Sequence, residues 1–160
     1  MDVVMANDTY YDFYDLPSDE VKASTKALAQ FVSIIGGSKT ISMVSYTSVF
    51  PNGGSMERYF PGQISFAPIT LYRHLDDKCV PLMKWFEDTA AGKIEKKNCS
   101  IAQIELVENE GVHLLTIWDL INTLPIAQPG FSYNSYRGTT STKYKLTLQA
   151  EEIIITYVAP

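Results

Sequence analysis

The residues best suited to chemistry lie in one short stretch, RHLDDKC, where His74 stands beside Asp76 and Asp77 and five residues before Cys79. An imidazole, a thiol and two carboxylates are the donor types of a Cys–His nucleophile pair or of a weak metal site. With only two His and two Cys in the chain, and no metal or redox spacing around Cys79 and Cys99, two packed, reduced thiols are the better reading. The other acidic pair, Glu87 and Asp88, is adjacent on a helix-like segment, so the two carboxylates point to different sides and suit a solvated face. No GxxxxGK[ST], HExxH, GxSxG or CxxC motif occurs. Gly36-Gly37 and Gly53-Gly54 lack the Lys and Ser/Thr of a phosphate cradle and read as turns. The sequence therefore implies no catalytic residue, cofactor or metal and weighs towards a structural or binding protein, not an enzyme.

The elements around these residues must then account for the chain. Its 160 residues suffice for one core of ordinary size. Hydrophobic content of 46% and ten Tyr place it among folded chains with a strand bias. Its net charge of −5 is uneven: Asp2, Asp8, Asp12, Asp15, Asp19 and Glu20 precede the first base, Lys22, and the remainder has 13 bases against 12 acids. Lys93, Lys96 and Lys97 are too few for a nucleic-acid face. No apolar run reaches the roughly 18–20 residues of a membrane span, and MDVVMANDTYYDFYD has acids where a signal peptide needs bases. Synthesis without a signal peptide and no direct membrane insertion are expected.

Residues 1–30 are expected to form an acidic, aromatic extension to a barrel domain at 31–160, and deletion of residues 1–20 is expected to leave the barrel folded. Ser18, with Asp19 and Glu20 behind it, suggests an N-cap and a helix on which Leu28, Phe31 and Val32 have helical spacing. Phe31 to Ile35 is also β-rich before Gly36-Gly37 and offers an early stop with entry into a strand there. Residues 39–50 alternate as a strand with Ile41, Met43 and Val44 towards the core, and Pro51-Asn52-Gly53-Gly54 turns it into a hairpin. Phe50, Asn52, Gly53, Gly54, Met56, Arg58, Tyr59 and Phe60 lie on this protruding segment and are the candidate inter-subunit residues. Pro61-Gly62 reads as a chain reversal, and Pro68 argues that the strand following it is an edge or bulged one. A helix capped by Asp76 or Asp77 presents Leu82, Trp85, Phe86 and Ala90 on one face and stops at Gly92. Residues 100–107 and 112–121 form a second hairpin. The run ends at Leu124-Pro125, and residues 132–142 read as a loop. Tyr144, Leu146 and Leu148 then alternate with Lys143, Lys145, Thr147 and Gln149, before a last apolar strand. The pattern favours an antiparallel β-sandwich or barrel with one packed helix.

Several of these pieces occur in a telling order: a Pro-Gly turn, ITLYR, a Trp-bearing helix ending in Gly-Lys, KNCSI, and a late ST-KYK-LTL strand. Over about residues 41–157 this order resembles the phage tail tube protein family, which includes the T4-like tail tube proteins and inner tubes of phage-like contractile injection systems. The resemblance implies a mainly β, tail tube-like barrel that forms stacked hexameric rings around a channel. It also implies contact with itself, with a sheath and with baseplate or spike proteins, and passage of cargo or DNA through the lumen. The particle would be a virion tail or an injection device, its subunits made in a bacterial cytoplasm. On this reading Lys143, Lys145, Thr147 and Gln149 are lumen candidates. Two alternatives accompany it: a tube-initiating ring joining the baseplate spike to the tube, and a monomeric β-barrel that binds a small ligand.

Overall fold

In strand-rich chains the positions two apart decide what is buried, and here Ile69, Leu71 and Arg73 on one strand and Tyr144, Leu146 and Leu148 on its neighbour all turn inward. The computed structural model describes residues 8–22, 25–128 and 143–158. Its elements are β1 (Asp8–Tyr14), β2 (Ala29–Phe31), β3 (Ser33–Gly36), β4 (Lys39–Val49), β5 (Ser55–Phe66), β6 (Ile69–His74), α1 (Val80–Ala90), β7 (Lys97–Val107), β8 (Gly111–Ala127), β9 (Lys143–Gln149) and β10 (Glu152–Tyr157). All strand pairs are antiparallel. This is the mainly β fold with one packed helix that the alternation predicted.

The strands run β2-β1-β7-β8-β9-β6-β3, with β10 also on β8. Only Val32 separates β2 from β3, and its amide donates to the Tyr72 carbonyl at 2.9 Å. The chain steps there from one sheet to the other and closes the circuit into a barrel. β8 serves both halves, pairing with β7 and β10 along its length and with β9 near its end. The interior is filled with side chains, among them the fully buried Phe13, Phe31, Leu71, Ile101, Leu120, Leu146 and Leu148. Phe13 and Phe31 meet edge to face at 6.0 Å.

α1 begins as its sequence predicts. The Asp76 carboxylate accepts from the Lys78 amide, a 3-10 turn covers Asp77–Cys79, and Pro81 sits in the first turn, where no donor is lost. Gly92, at φ 93, follows its end. Leu82 and Trp85 are buried and Phe86 half-buried, but Ala90 is exposed. Trp85 donates its indole N–H to the Glu95 carbonyl at 3.0 Å, which fixes the helix against the following strand.

Five expectations are corrected. Residues 8–14 are no extension: β1 lies between β2 and β7, with Phe13 fully buried beside Ile101. The helix after Ser18 is a single 3-10 turn, Ser18–Glu20, because Ser18 binds elsewhere and the Ala29–Phe31 segment alternates buried and exposed as a strand. β5 runs straight through Pro61-Gly62, where a bulge replaces the reversal. Pro68 precedes β6 instead of interrupting it, so β6 sits inside the sheet between β9 and β3. β8 continues past Leu124-Pro125 to Ala127 through a register shift. The expected loop at 132–142 lies outside the described residues.

Candidate assembly surfaces

β4 and β5 form a two-stranded ribbon separate from the barrel sheet. The expected inward turn of Ile41, Met43 and Val44 does not occur: among the described residues no second layer covers the ribbon, and all three are exposed. Phe50, Asn52, Gly53 and Gly54 make the tip. The Phe50 amide donates to the Gly54 carbonyl at 2.7 Å, Gly54 donates to the Asn52 side chain at 3.1 Å, and Gly53 takes the left-handed φ of 86. At the other end Ser42 accepts from the Gln63 amide at 2.8 Å and donates to its carbonyl at 3.1 Å, stitching the bulge. A Cβ at Gly62 would sit 2.8 Å from Ser42 Oγ, so a side chain there would have to displace the hydroxyl that stitches the bulge.

Both faces of the ribbon carry exposed apolar side chains, interspersed with polar ones that include Arg58 on one face and Glu57, opposite Thr47, on the other. The register sets Val44 opposite Phe60, Tyr46 opposite Arg58 and Ser48 opposite Met56 on one face, with Tyr46 and Phe60 rings 5.8 Å apart. Met43 opposite Pro61 and Ser45 opposite Tyr59 occupy the other, together with Val49. Met56, Tyr59 and Phe60 are 49%, 60% and 48% exposed. Full burial of such a side chain supplies about 1.5–3 kcal/mol, and covering what is left exposed of each would be worth roughly half of that.

The barrel has two unlike outer faces. Over β1, β7 and β8 apolar side chains gather: Tyr14, Ala102, Ile104, Leu114 and Ile117, with Val21 and the hydroxyl residues Ser18 and Ser100, line a hollow of about 180 Å³. The segment before it is tied down by Ser18, whose amide and hydroxyl donate to the Asp119 carboxylate at 2.9 and 2.7 Å, and by Ser100, which donates to the Leu16 carbonyl. Over β6 and β9 the face is polar. Lys145 is exposed with its ammonium 5.8 Å from the centre of the Tyr72 ring, Thr147 and Thr70 hydroxyls lie 3.4 Å apart, and Gln149 donates to the Phe66 and Ala150 carbonyls. These three side chains share one face, opposite the buried Tyr144, Leu146 and Leu148. Lys143 stands on the same strand, opposite His74 in register.

The cluster singled out for chemistry is put to structural use. Asp76 pairs with the buried Arg73 at 2.7 Å and caps the turn, and although desolvation opposes it, the Arg73 guanidinium keeps this carboxyl below its ordinary range. The Cys79 thiol faces the His74 carbonyl oxygen at 3.6 Å, and burial raises its pKa. Cys99 is buried too and pushed up to about 12 by desolvation. Glu87 accepts from Gln128 on the exposed side of α1. Among the described residues no group of three or more His, Cys, Asp and Glu is placed to hold a metal ion.

A solid barrel that carries a long apolar ribbon on its outside has the build of a subunit made for assembly. The chain belongs to the T4-like virus tail tube protein gp19 family, whose model matches residues 20–153. It is a structural tube subunit. Solved structures share the fold. A chain of the PVC sheath-tube complex of an extracellular contractile injection system aligns with a TM-score of 0.61 at 21% identity, covering 94% of this chain and 88% of that one. The anti-feeding prophage tube terminating cap gives 0.63 at 20% identity, covering 92% and 88%. An Hcp protein gives 0.53 at 10% identity, covering 96% and 92%. No curated protein matches the chain.

Proposed function

We propose that this subunit forms hexameric rings that stack into the inner tube of a phage tail or phage-like injection particle, with the β4–β5 ribbon packed on neighbouring copies and the β6–β9 face lining the channel. The observation that carries the reading is the ribbon: large apolar side chains on both faces, left exposed among the described residues. A sheath and a baseplate are its other partners on this reading, supported by the sheath-tube and baseplate complexes whose chains share its fold. The role is architectural and needs no catalytic residue. Subunits made in the cytoplasm would assemble there.

The test is the pair Met56→Asp with Phe60→Asp. A carboxylate buried without a partner costs several kcal/mol at every repeated contact. The double variant is expected to keep its circular dichroism spectrum and to form neither rings nor tubes in electron micrographs. Normal tubes would defeat the interface claim.

A second reading has its own support, because a chain of an anti-feeding prophage baseplate aligns as well as the tube does, with a TM-score of 0.60. On that reading the chain forms one ring that starts the tube. Limited single rings instead of long stacks would favour it.

A further inference from the structure

Strands β3, β6 and β9, SIIG, ITLYRH and KYKLTLQ, contain no Asp or Glu, although the chain has 18 acids and a net charge of −5. Their outward positions are joined by register: Ser33 opposite Tyr72, Tyr72 opposite Lys145, Thr70 opposite Thr147. Lys145 is held over Tyr72, and beside it Ala127, Gln128 and Thr147 complete a shallow hollow of about 150 Å³. The carboxylate nearest this hollow in the hydrogen-bond network is Glu87 on α1, which accepts from Gln128 at 3.2 Å at its rim. The face thus offers hydroxyls, amides and a cation with no carboxylate of its own.

We infer that this face receives acidic, extended polypeptide, and that a tube built with it inward favours acidic protein cargo. The inference rests on the tube reading above. Repetition of Lys145 around each ring gives a positive potential, and a low-dielectric wall concentrates it in the channel. Polypeptide is the better match than duplex DNA. A duplex carries one charge per about 1.7 Å and calls for a dense basic stripe, whereas here cations are sparse and Thr70, Thr147 and Tyr72 supply hydrogen-bonding groups suited to amides.

Fluorescent polyglutamate, polylysine and duplex DNA, each incubated with the full-length protein at low and at physiological salt, test this by retention. Polyglutamate is expected to be held several-fold better than polylysine, less so at high salt. Lys145→Gln should weaken the preference and Lys145→Glu reverse it, with unchanged circular dichroism. Equal retention of both polymers, or a preference untouched by Lys145→Glu, overturns the inference; stronger retention of DNA than of polyglutamate overturns it in favour of nucleic acid. Electron micrographs of the same samples keep the two readings apart, because retention can be read on the folded monomer if no tubes form. In tubes, a thiol reagent carried on a polymer too large for the channel should fail to label Lys145→Cys, the native thiols being buried. Labelling of intact tubes would place this face outside and overturn its role as channel wall.

Discussion

The barrel and the ribbon are made of the same material and end in opposite states. In β9 the apolar positions Tyr144, Leu146 and Leu148 are buried, while in β4 Ile41, Met43 and Val44, equally apolar, are exposed. Local pattern makes a strand in both places, but burial depends on whether a second layer exists. In the barrel the chain supplies that layer itself; on the proposed reading a neighbouring copy supplies it for the ribbon. That reading concentrates stability of the monomer in one region and assembly in the other, and substitutions should separate them.

The largest effect is expected at the start of the chain. Because Phe13 is fully buried against Phe31 and Ile101, Phe13→Ala should cost about 3–5 kcal/mol in a denaturant titration. Removal of residues 1–20 should abolish cooperative unfolding altogether. A truncated chain that still unfolds cooperatively would show that β1 is dispensable to the barrel.

Next comes Gly62→Val at the ribbon's bulge, where the new side chain meets Ser42 Oγ and Val44 Cγ2. It should impair assembly severely while lowering the monomer's melting temperature by only a degree or two. An equal loss in both measurements would mean that the ribbon and the barrel fold as one unit.

The smallest effect concerns Glu151, whose carboxyl is held below the ordinary range by the hydrogen bond from Lys96, with help from Asn122. A lowered folded pKa contributes stability above the unfolded carboxylate value, about 4.3, and that contribution is lost as pH falls through the lowered value. Lys96→Ala should lower the melting temperature slightly at neutral pH, and the difference should vanish in strong acid. Assembly should be unaffected at neutral pH.

Much of this was legible in the residues. The cap at Asp76, the stop at Gly92, the tip at Asn52-Gly53 and the alternation of β9 are local signals, and each lands where its chemistry put it. β1 was legible in part: Tyr11 and Phe13 alternate with Asp12, yet the surrounding acids disguise a strand as a tail. Ser18 looked like a helix cap because its true acceptor, Asp119, is 101 residues away, and no local pattern carries such a contact. The exposure of β4 was illegible for the same reason. Alternation identifies which residues share a face, and only the tertiary arrangement tells what that face meets.

The continuity of β8 bears on mechanics. At about 3.3 Å per residue its 17 residues span roughly 55 Å, with hydrogen bonds to β7 on one edge and to β10 and β9 on the other. A pull along this strand loads those bonds together, in shear, so that many must break at once before it slips. A pull across it would open them one after another. A subunit built round such a strand resists force best in a single direction, and the orientation of β8 relative to the axis of the assembled tube fixes which direction that is.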